Sequence, residues 1–559
     1  MDIALLFRAE GYSLDQTKLM GRHAAGAGFL QALARDAGAQ DRLVCHAPDE
    51  KEAQAFARMV RQTGSEAAIG WVPFDQHARL AEAGCLFTPG PNIGDFAWRR
   101  LSSSGDRGYS LCGITHTTAS HGAMEALGGL LTAPVRAWDA VICTSRAVRD
   151  TARHILEEQA AYLRWRLGAD RFELPQLPLI PLGVDCDAYA YTAEPGAREA
   201  ARRALGIADD ELVVLFIGRL SFHAKAHPLP MYLALERAAA KLPAGRKVRL
   251  IQAGWFANQF IEDAFVEGAR ALCPSVTMTA LDGRDAGTRA HAWAAADVFT
   301  SLSDNIQETF GLTPIEAMAA GLPVVVTDWD GYKDTVRDGI DGFRVPTVMP
   351  AAPLGGDLAD RHDLGLDTYD MYCGFTSQLV SVDTTATEAA FDRLFADADL
   401  RRRLGEAGRE RARLVYDWRH ILGRYRELWD DLAERRRADP DLSGPAPVRR
   451  NPVRPDPFAA FAGYPTARLG LDHVVEPVAG ADAAVLAERR ALGIVKYAAY
   501  VFPSEAECEA VLAHLGRSGP TPVSELLALI PAPRRAAVMR GLVWMAKMDV
   551  VRLRPPAGG

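Results

Sequence analysis

Two glutamates that stand eight positions apart, Glu308 and Glu316, mark a stretch whose residues could form an anion-binding site. Apolar runs precede and follow them, and Thr313 is well placed as the N-cap of a short helix that Gly321 ends. The loop 308–311 would then lie at a helix N-terminus, where free N–H groups and a partial positive charge bind anions. From local sequence alone, Glu316 fits a capping-box carboxylate equally well, and Glu308 fits a solvated loop acid.

Two cations, Arg219 and Lys225, follow another apolar run at a spacing of six residues and precede an amphipathic helical pattern. A pair of this kind usually belongs to a solvated loop. Beside a helix N-terminus that binds anions, however, the two cations could belong to the same anion site.

Two further residues stand where α/β proteins bind ligands. His116 follows the apolar run 111–115, and ligands of open α/β sheets bind outside the carboxyl ends of the strands. A single histidine there can also be a hydrogen-bonded structural residue. Gly21 lies between the predicted strand 3–7 and an Ala-rich helix, in an order that can hold a phosphate. Because no G-x-G-x-x-G motif is present, close packing is the alternative role of this glycine.

The elements that would position these residues alternate as strand and helix along two long segments. Apolar runs of the first segment fall at 3–7, 43–46, 85–88, 111–115 and 140–144. Their alternation with helical stretches predicts a parallel sheet covered on both faces. A second series of the same kind begins near Asp210. The predicted fold class is therefore α/β.

The strings around these residues resemble a known family. ETFGLTPIEAMAAGLPVV contains Glu308-x7-Glu316 and resembles the EX7E signature of family 4 retaining glycosyltransferases. GRLSFHAKA resembles the Arg and Lys element of that family, with Ala226 where glycine is common. IPLGVD resembles its hinge, with Leu182 in place of Asn. The resemblance covers residues 1–436 and is dense from 211 to 347.

This resemblance implies the GT-B fold, in which two Rossmann-like domains face each other across a cleft. It assigns 1–185, completed by a crossover helix at 418–436, to the acceptor side, and 186–417 to the nucleotide sugar. The composition of 347–384 predicts an insertion longer than the family usually has.

The residues after the second domain predict a linker and a further domain. Residues 437–462 are rich in proline and are typical of a semi-extended linker. Residues 463–559 predict a small, mostly helical domain that resembles a winged helix. Because its charges nearly cancel, a docking or protein-binding module is favoured over a DNA reader.

The same resemblance implies roles for individual residues. Glu308 would contact the sugar hydroxyls, Glu316 the ribose, and His116 the transferred sugar. Arg219 and Lys225 would hold the diphosphate as negative charge grows on it. The other donor contacts that it implies lie in the loop before the helix, in the first glycine loop and in the turn at the donor base: Thr309, Phe310, Gly311, Gly21, Gly283 and Arg284.

The implied reaction is transfer of a sugar, with retention of configuration, from a UDP- or GDP-sugar by an enzyme of the EC 2.4 class. Two cations and a helix terminus can take the place of a metal, so neither a divalent ion nor a cofactor is expected. The string Asp328-Trp329-Asp330 leaves a metal site open as an alternative. A phosphorylase or an epimerase of the same fold would also fit this pattern, as would a non-catalytic nucleotide-sugar sensor.

Charge and cysteine content limit the partners and the compartment. With 63 Lys and Arg against 71 Asp and Glu, the net charge of −8 gives no nucleic-acid or membrane signature. The eight cysteines are scattered without a C-x-x-C pair, which predicts free, buried thiols in a reducing cytosol. No signal peptide or membrane span is predicted, which favours the cytoplasm, with peripheral contact to the inner face of the membrane left open.

The expected partners are a nucleotide sugar and an acceptor that the sequence does not identify. The acceptor could be a glycan, a lipid-linked molecule or a protein. No nucleic-acid partner is expected. The tail leaves open a homo-oligomer or a protein partner.

Overall fold

A computed structural model describes residues 2–13, 21–440 and 450–555. The chain forms two compact units, Met1–Asn451 and Pro452–Gly559. The central part of the predicted linker, 441–449, lies outside the described residues. Within the described residues, no helix combines the length and the apolar character needed to cross a membrane.

The first domain of the larger unit is built on a parallel sheet with the strand order β3-β2-β1-β4-β5-β6. Its strands are β1 (Asp2–Leu6), β2 (Arg42–Ala47), β3 (Ala68–Pro73), β4 (Cys85–Phe87), β5 (Ser110–Ile114) and β6 (Ala140–Ile142). Its helices are α1 (Gly21–Asp36), α2 (Glu50–Gln62), α3 (Ile93–Ser103), α4 (His121–Gly128) and α5 (Arg146–Leu167). This order is that of a Rossmann fold.

A fully buried ion pair between Arg100 and Asp139 stabilises the first domain. Arg100 donates to both carboxylate oxygens of Asp139, at 2.6 and 2.8 Å, and the two side chains have no exposed surface. Asp139 also accepts hydrogen bonds from the backbone N–H groups of Leu111 and Arg136. The carboxylate therefore ties α3 to the start of β5 and to the turn before β6.

The second domain repeats the same topology. Its parallel sheet has the order β12-β11-β10-β7-β8-β9. The strands are β7 (Leu212–Ile217), β8 (Val248–Gly254), β9 (Thr277–Asp282), β10 (Val298–Ser301), β11 (Val324–Thr327) and β12 (Gly342–Val345). The helices are α6 (Ala197–Ala204), α7 (Leu229–Ala239), α8 (Gln259–Leu272), α9 (Ala286–Ala295), α10 (Leu312–Ala319) and α11 (Tyr332–Thr335). The predicted α/β class with two Rossmann-like domains is confirmed.

The predicted start of the central helix is wrong. Helix α10 begins at Leu312 with Gly311 as its N-cap, so Thr313 lies inside the first turn and its side chain caps nothing. Gly311 has a φ of +82°, and a Cβ atom on it would come 1.9 Å from the ring of Tyr332. Glycine therefore sets the helix start, because another residue would be both strained and in collision there.

The chain then makes an excursion and returns to the first domain. The antiparallel strands β13 (Thr347–Val348) and β14 (Ser381–Val382) form its base, and α12 (Gly356–Asp363) and α13 (Tyr369–Ser377) lie between them. Helices α14 (Thr384–Ala396) and α15 (Ala398–Arg411) follow, and then α16 (Trp418–Ala438). The rings of Tyr425 and Trp429 on α16 pack against Phe87 of the first domain.

The smaller unit combines helices with an antiparallel sheet of order β16-β15-β17. Its elements are α17 (Pro457–Ala460), β15 (Val474–Pro477), α18 (Ala483–Ala491), α19 (Gly493–Lys496), α20 (Glu505–Ser518), β16 (Thr521–Pro522), α21 (Val523–Ala528), α22 (Arg535–Lys547) and β17 (Val551–Arg554). Val475, Val511, Leu526, Leu542 and Met545 are buried in its own core. The likeness to a winged helix stays a prediction. All eight cysteines of the chain fall in the described residues and are buried and free, as predicted.

Candidate functional site

The loop before α10 meets the loop after β7 at a largely buried ion pair between Lys225 and Glu308. The Lys225 ammonium contacts Oε2 of Glu308, and the two side chains are 17% and 11% exposed. Burial acts to raise the pKa of Glu308. The Lys225 charge and the N–H groups of Thr309 and Phe310 outweigh it and hold that pKa below its usual value. The carboxylate is therefore ionised at neutral pH.

Arg219 supports the same junction from the other end of the β7 loop. Its guanidinium donates to the carbonyl oxygen of Ala224 at 2.6 Å and to Oε1 of Gln307 at 2.9 Å. Arg219 and Lys225 thus reach adjacent residues, Gln307 and Glu308. The structure brings both cations to the loop that precedes α10.

Glu316 lies one turn into α10 and is half-buried. Burial raises its pKa, and a hydrogen bond from Tyr189 and the charges of Arg289 and Lys225 oppose this rise. The pKa of Tyr189 is in turn raised well above its usual value by its own burial and by the nearby Glu316 carboxylate. Sequence reasoning missed Tyr189 and Arg289. Tyr189 falls in the segment that follows the hinge string, but a single aromatic residue there carries no motif.

The turn predicted to stack the donor base lies after β9. Gly283 donates its N–H to the carbonyl oxygen of Gly254 at 2.9 Å. Arg289 donates to the carbonyl oxygens of Gly283 and Arg284 at 2.8 and 3.0 Å. The Arg284 side chain itself pairs with Asp282 and is half exposed. Arg289 therefore lies between the turn and Glu316 and links these two parts of the candidate site.

His116 of the first domain comes close to the α10 loop. Its carbonyl oxygen accepts a hydrogen bond from the Thr309 hydroxyl at 3.3 Å, and the Thr144 hydroxyl donates to the carbonyl oxygen of Thr309 at 3.4 Å. Burial, assisted by the charge of Arg22, lowers the pKa of His116 to about 4. The imidazole is therefore neutral at physiological pH, and it can both donate and accept a hydrogen bond.

Gly21 is the first residue of α1, and a Cβ atom on it would meet nothing within 4 Å. The preceding loop, 14–20, lies outside the described residues. The neighbouring Arg22 is a cation close enough to affect His116, and sequence reasoning missed it. This end of α1 therefore belongs to the surroundings of His116.

Asp330 is a half-buried residue near the ion pair, and sequence reasoning named it only as a possible metal ligand. Its Oδ1 accepts a hydrogen bond from the Ser145 hydroxyl of the first domain at 3.1 Å, and its buried Oδ2 has no hydrogen-bond partner among the described residues. The residue has a φ of +42°. Burial, and then the Glu308 charge, raise the pKa of Asp330 to about 8.

The residues of the string Asp328-Trp329-Asp330 have different surroundings. Asp328 pairs with Arg344 at 3.2 Å, and the Trp329 indole donates to the carbonyl oxygen of Asn305 at 3.1 Å. Within the part of the chain that the structure describes, no three His, Cys, Asp or Glu side chains cluster as metal ligands would.

We expect Asp330 to make the folded state less stable as the pH rises. Because its folded pKa of about 8 lies above the unfolded value, the folded state binds the extra proton between these two values. The stability it contributes is present at low pH and is lost as the pH rises through about 8. The free energy of unfolding should therefore fall less between pH 6 and pH 9 for Asp330→Asn than for the parent protein, as measured by thermal unfolding. Identical pH profiles of the two proteins would contradict this.

The family comparison decides what the second domain resembles. Residues 197–352 match the family model Glycosyl transferases group 1. The second domain is similar to group 1 glycosyl transferases. The matched range contains both cations, both glutamates and the turn at Gly283.

Curated relatives align over the same part of the chain. The D-inositol 3-phosphate glycosyltransferase of Nocardia farcinica is 35% identical over 227 residues, which are 39% of this chain and 46% of the relative. The D-inositol 3-phosphate glycosyltransferase of Mycobacterium tuberculosis H37Ra is 38% identical over 172 residues, which are 30% of this chain and 33% of the relative. The chain therefore spans less than half the length of these curated relatives.

Solved structures align over more of the chain at lower identity. Anabaena HepE in complex with UDP-glucose covers 77% of this chain and 99% of its own, at 17% identity and a TM-score of 0.48. The alignment with the sucrose-phosphate synthase of Thermosynechococcus elongatus covers 77% of this chain and 98% of that protein, at 19% identity and a TM-score of 0.46.

Proposed function

We propose that this chain is a retaining glycosyltransferase that uses a nucleotide-diphosphate sugar and needs no metal ion. The observation that supports this best is the contact of Arg219 and Lys225 with the adjacent residues Gln307 and Glu308, in the loop that leads into α10. The curated relatives, named as glycosyltransferases, support the same class of reaction.

The two cations and the helix terminus would stabilise the leaving diphosphate. In sugar transfer from a nucleotide donor, negative charge grows on the diphosphate as the glycosidic bond breaks. Fixed positive groups in a partly dry site stabilise that charge more than water does. Lys225 would turn from Glu308 towards the phosphate when the donor binds. Glu308 would then be free to accept hydrogen bonds from the sugar hydroxyls.

The remaining residues would orient the donor and the sugar. Glu316, held between Tyr189 and Arg289, would accept hydrogen bonds from the ribose hydroxyls, and the turn at Gly283 would lie against the base. Neutral His116 would hydrogen-bond the transferred sugar. We propose that attack occurs on the face of the leaving group and that the diphosphate accepts the proton of the acceptor hydroxyl, which gives retention without a protein nucleophile.

A donor panel scored by thermal shift tests the proposal. UDP-glucose, UDP-N-acetylglucosamine, GDP-mannose and the free diphosphates would each be added to the full chain. A donor at a hundred times its Kd should stabilise the folded protein by about 2.7 kcal/mol. Stabilisation by one nucleotide series supports the proposal and identifies the base. If no UDP or GDP compound raises the Tm, the proposal fails.

We further expect turnover to persist without divalent ions. Since side chains and a helix terminus would supply the positive charge, UDP or GDP release should continue at a similar rate in excess EDTA. The measurement is an assay of nucleotide release with EDTA and with added Mg²⁺ or Mn²⁺. Complete loss on chelation, restored by either ion, would show that the site depends on a metal.

The names of the relatives suggest a first acceptor to try. Two of them are D-inositol 3-phosphate glycosyltransferases, so we propose this phosphorylated polyol as the first acceptor. Mass spectrometry of the reaction would detect the glycosylated product.

A further inference from the structure

The excursion between β13 and β14, residues 349–380, lies beside the candidate site and belongs to none of the motifs. The two strands that flank it pair as Thr347 with Val382 and Val348 with Ser381, so the segment leaves and re-enters the domain at one place. We call this segment the insertion. Helices α12 and α13 make up most of it.

One side of α13 is fixed to the loop that carries Lys225. Gly374 packs so closely on His223 that a Cβ atom on the glycine would come 2.8 Å from the His223 side chain. The fully buried amide of Asn305 donates to the carbonyl oxygens of His223, at 3.0 Å, and Cys373, at 3.5 Å. The helix is therefore anchored on the second domain, next to the two cations.

The opposite side of the insertion contacts the first domain. The hydroxyl of Tyr369 lies 3.0 Å from the hydroxyl of Thr117, the residue that follows His116. The ring of His362 on α12 meets the ring of His121 with centroids 5.7 Å apart. The charge of Arg219 also acts on Tyr369, which lies near it. Tyr369 therefore bridges the cleft between the cation loop and the His116 loop.

The Tyr369–Thr117 pair has the chemistry to exchange one hydroxyl partner for another. Both groups donate and accept hydrogen bonds, and the phenol stays protonated because burial raises its pKa. Both side chains are half-buried. In the proposed reaction the donor lies against the second domain, so a hydroxyl that enters from the first-domain side reaches this pair beside His116.

We propose that Tyr369 binds the acceptor. Its hydroxyl would break the hydrogen bond with Thr117 and form one with a hydroxyl of the incoming molecule. The insertion would then form one wall of the acceptor site. This inference rests on the proposed transferase function. It assigns the acceptor to the class of hydroxyl-rich small molecules or chain ends, and it gives the insertion a role in acceptor choice.

The test compares Tyr369→Phe with the parent protein as full chains. Each is given the active nucleotide sugar with water alone, with D-inositol 3-phosphate, or with concentrated glycerol as a generic polyol. Loss of one neutral hydrogen bond should lower kcat/KM for the polyols about three- to tenfold. Nucleotide release with water alone and the thermal shift given by the free nucleotide should stay within about twofold of the parent.

Tyr372→Phe is the matched control, because Tyr372 lies one turn further along α13 and its ring stacks on His362. This variant should leave all three readouts unchanged. Equal losses in hydrolysis and transfer in Tyr369→Phe would overturn the inference, as would undiminished transfer. It also fails if the parent protein hydrolyses the donor but transfers sugar to neither polyol. Failure of the proposed function looks different, since the parent protein then releases no nucleotide at all.

Discussion

Lys225→Ala should lower kcat/KM for the donor by about ten- to a hundredfold. A hydrogen bond to a charged group contributes about 1.5–3 kcal/mol, and each 1.36 kcal/mol lost from transition-state stabilisation is a factor of about ten in rate. The variant also leaves the buried Glu308 without its cation. Arg219→Ala should lower the rate within the same range. The measurement is steady-state nucleotide release, with folding checked by thermal unfolding.

Lys241→Ala is the matched control for this prediction. Lys241 pairs with Glu388 and Asp392 on an exposed surface, so the variant removes a lysine and its ion pairs away from the candidate site. We expect its turnover to match the parent protein. The double variant Lys225→Ala with Glu308→Gln removes the unpaired charge and should not restore the rate. Near-normal turnover of Lys225→Ala would contradict the assignment of Lys225.

Arg100→Ala should have the largest effect on stability, about 3–5 kcal/mol of the free energy of unfolding. The reason is that the variant leaves the carboxylate of Asp139 buried without its partner. Urea unfolding of the two proteins measures the difference. Arg79→Ala is the control, because its pair with Glu82 is exposed and should contribute about 1 kcal/mol or less. A stability loss of Arg100→Ala no larger than that of the control would contradict the prediction.

The fold could be predicted because its signals are local and repeated. Strands such as β7 and β11 are continuous apolar runs, since parallel strands are buried on both faces, and the stretches between them have helical patterns. The start of α10 was mispredicted for a local reason as well. Thr313 satisfies the usual capping preference, but contact with Tyr332 selects Gly311 for the cap, and that contact depends on tertiary structure.

The missed residues of the candidate site share one cause. Tyr189, Arg289 and Tyr369 come from three separate segments, and none of them stands in a string with a recognisable spacing. Each enters the site because the second domain closes on itself or on the first domain, as with the contact between Tyr369 and Thr117. Arg219, Lys225, Glu308 and Glu316 were found because loops and a helix of one domain carry them in short motifs.

The anomeric configuration of the first-formed product tests the central proposal most directly. Water can serve as the acceptor, so the measurement does not depend on knowing the natural one. The donor that stabilises the full chain would be hydrolysed in excess EDTA and followed by proton NMR before the free sugar equilibrates. Retaining, metal-independent transfer predicts that an α-linked donor releases the α-anomer first, with one nucleotide diphosphate per sugar. Release of the β-anomer first, or of no sugar from any nucleotide donor, would contradict it.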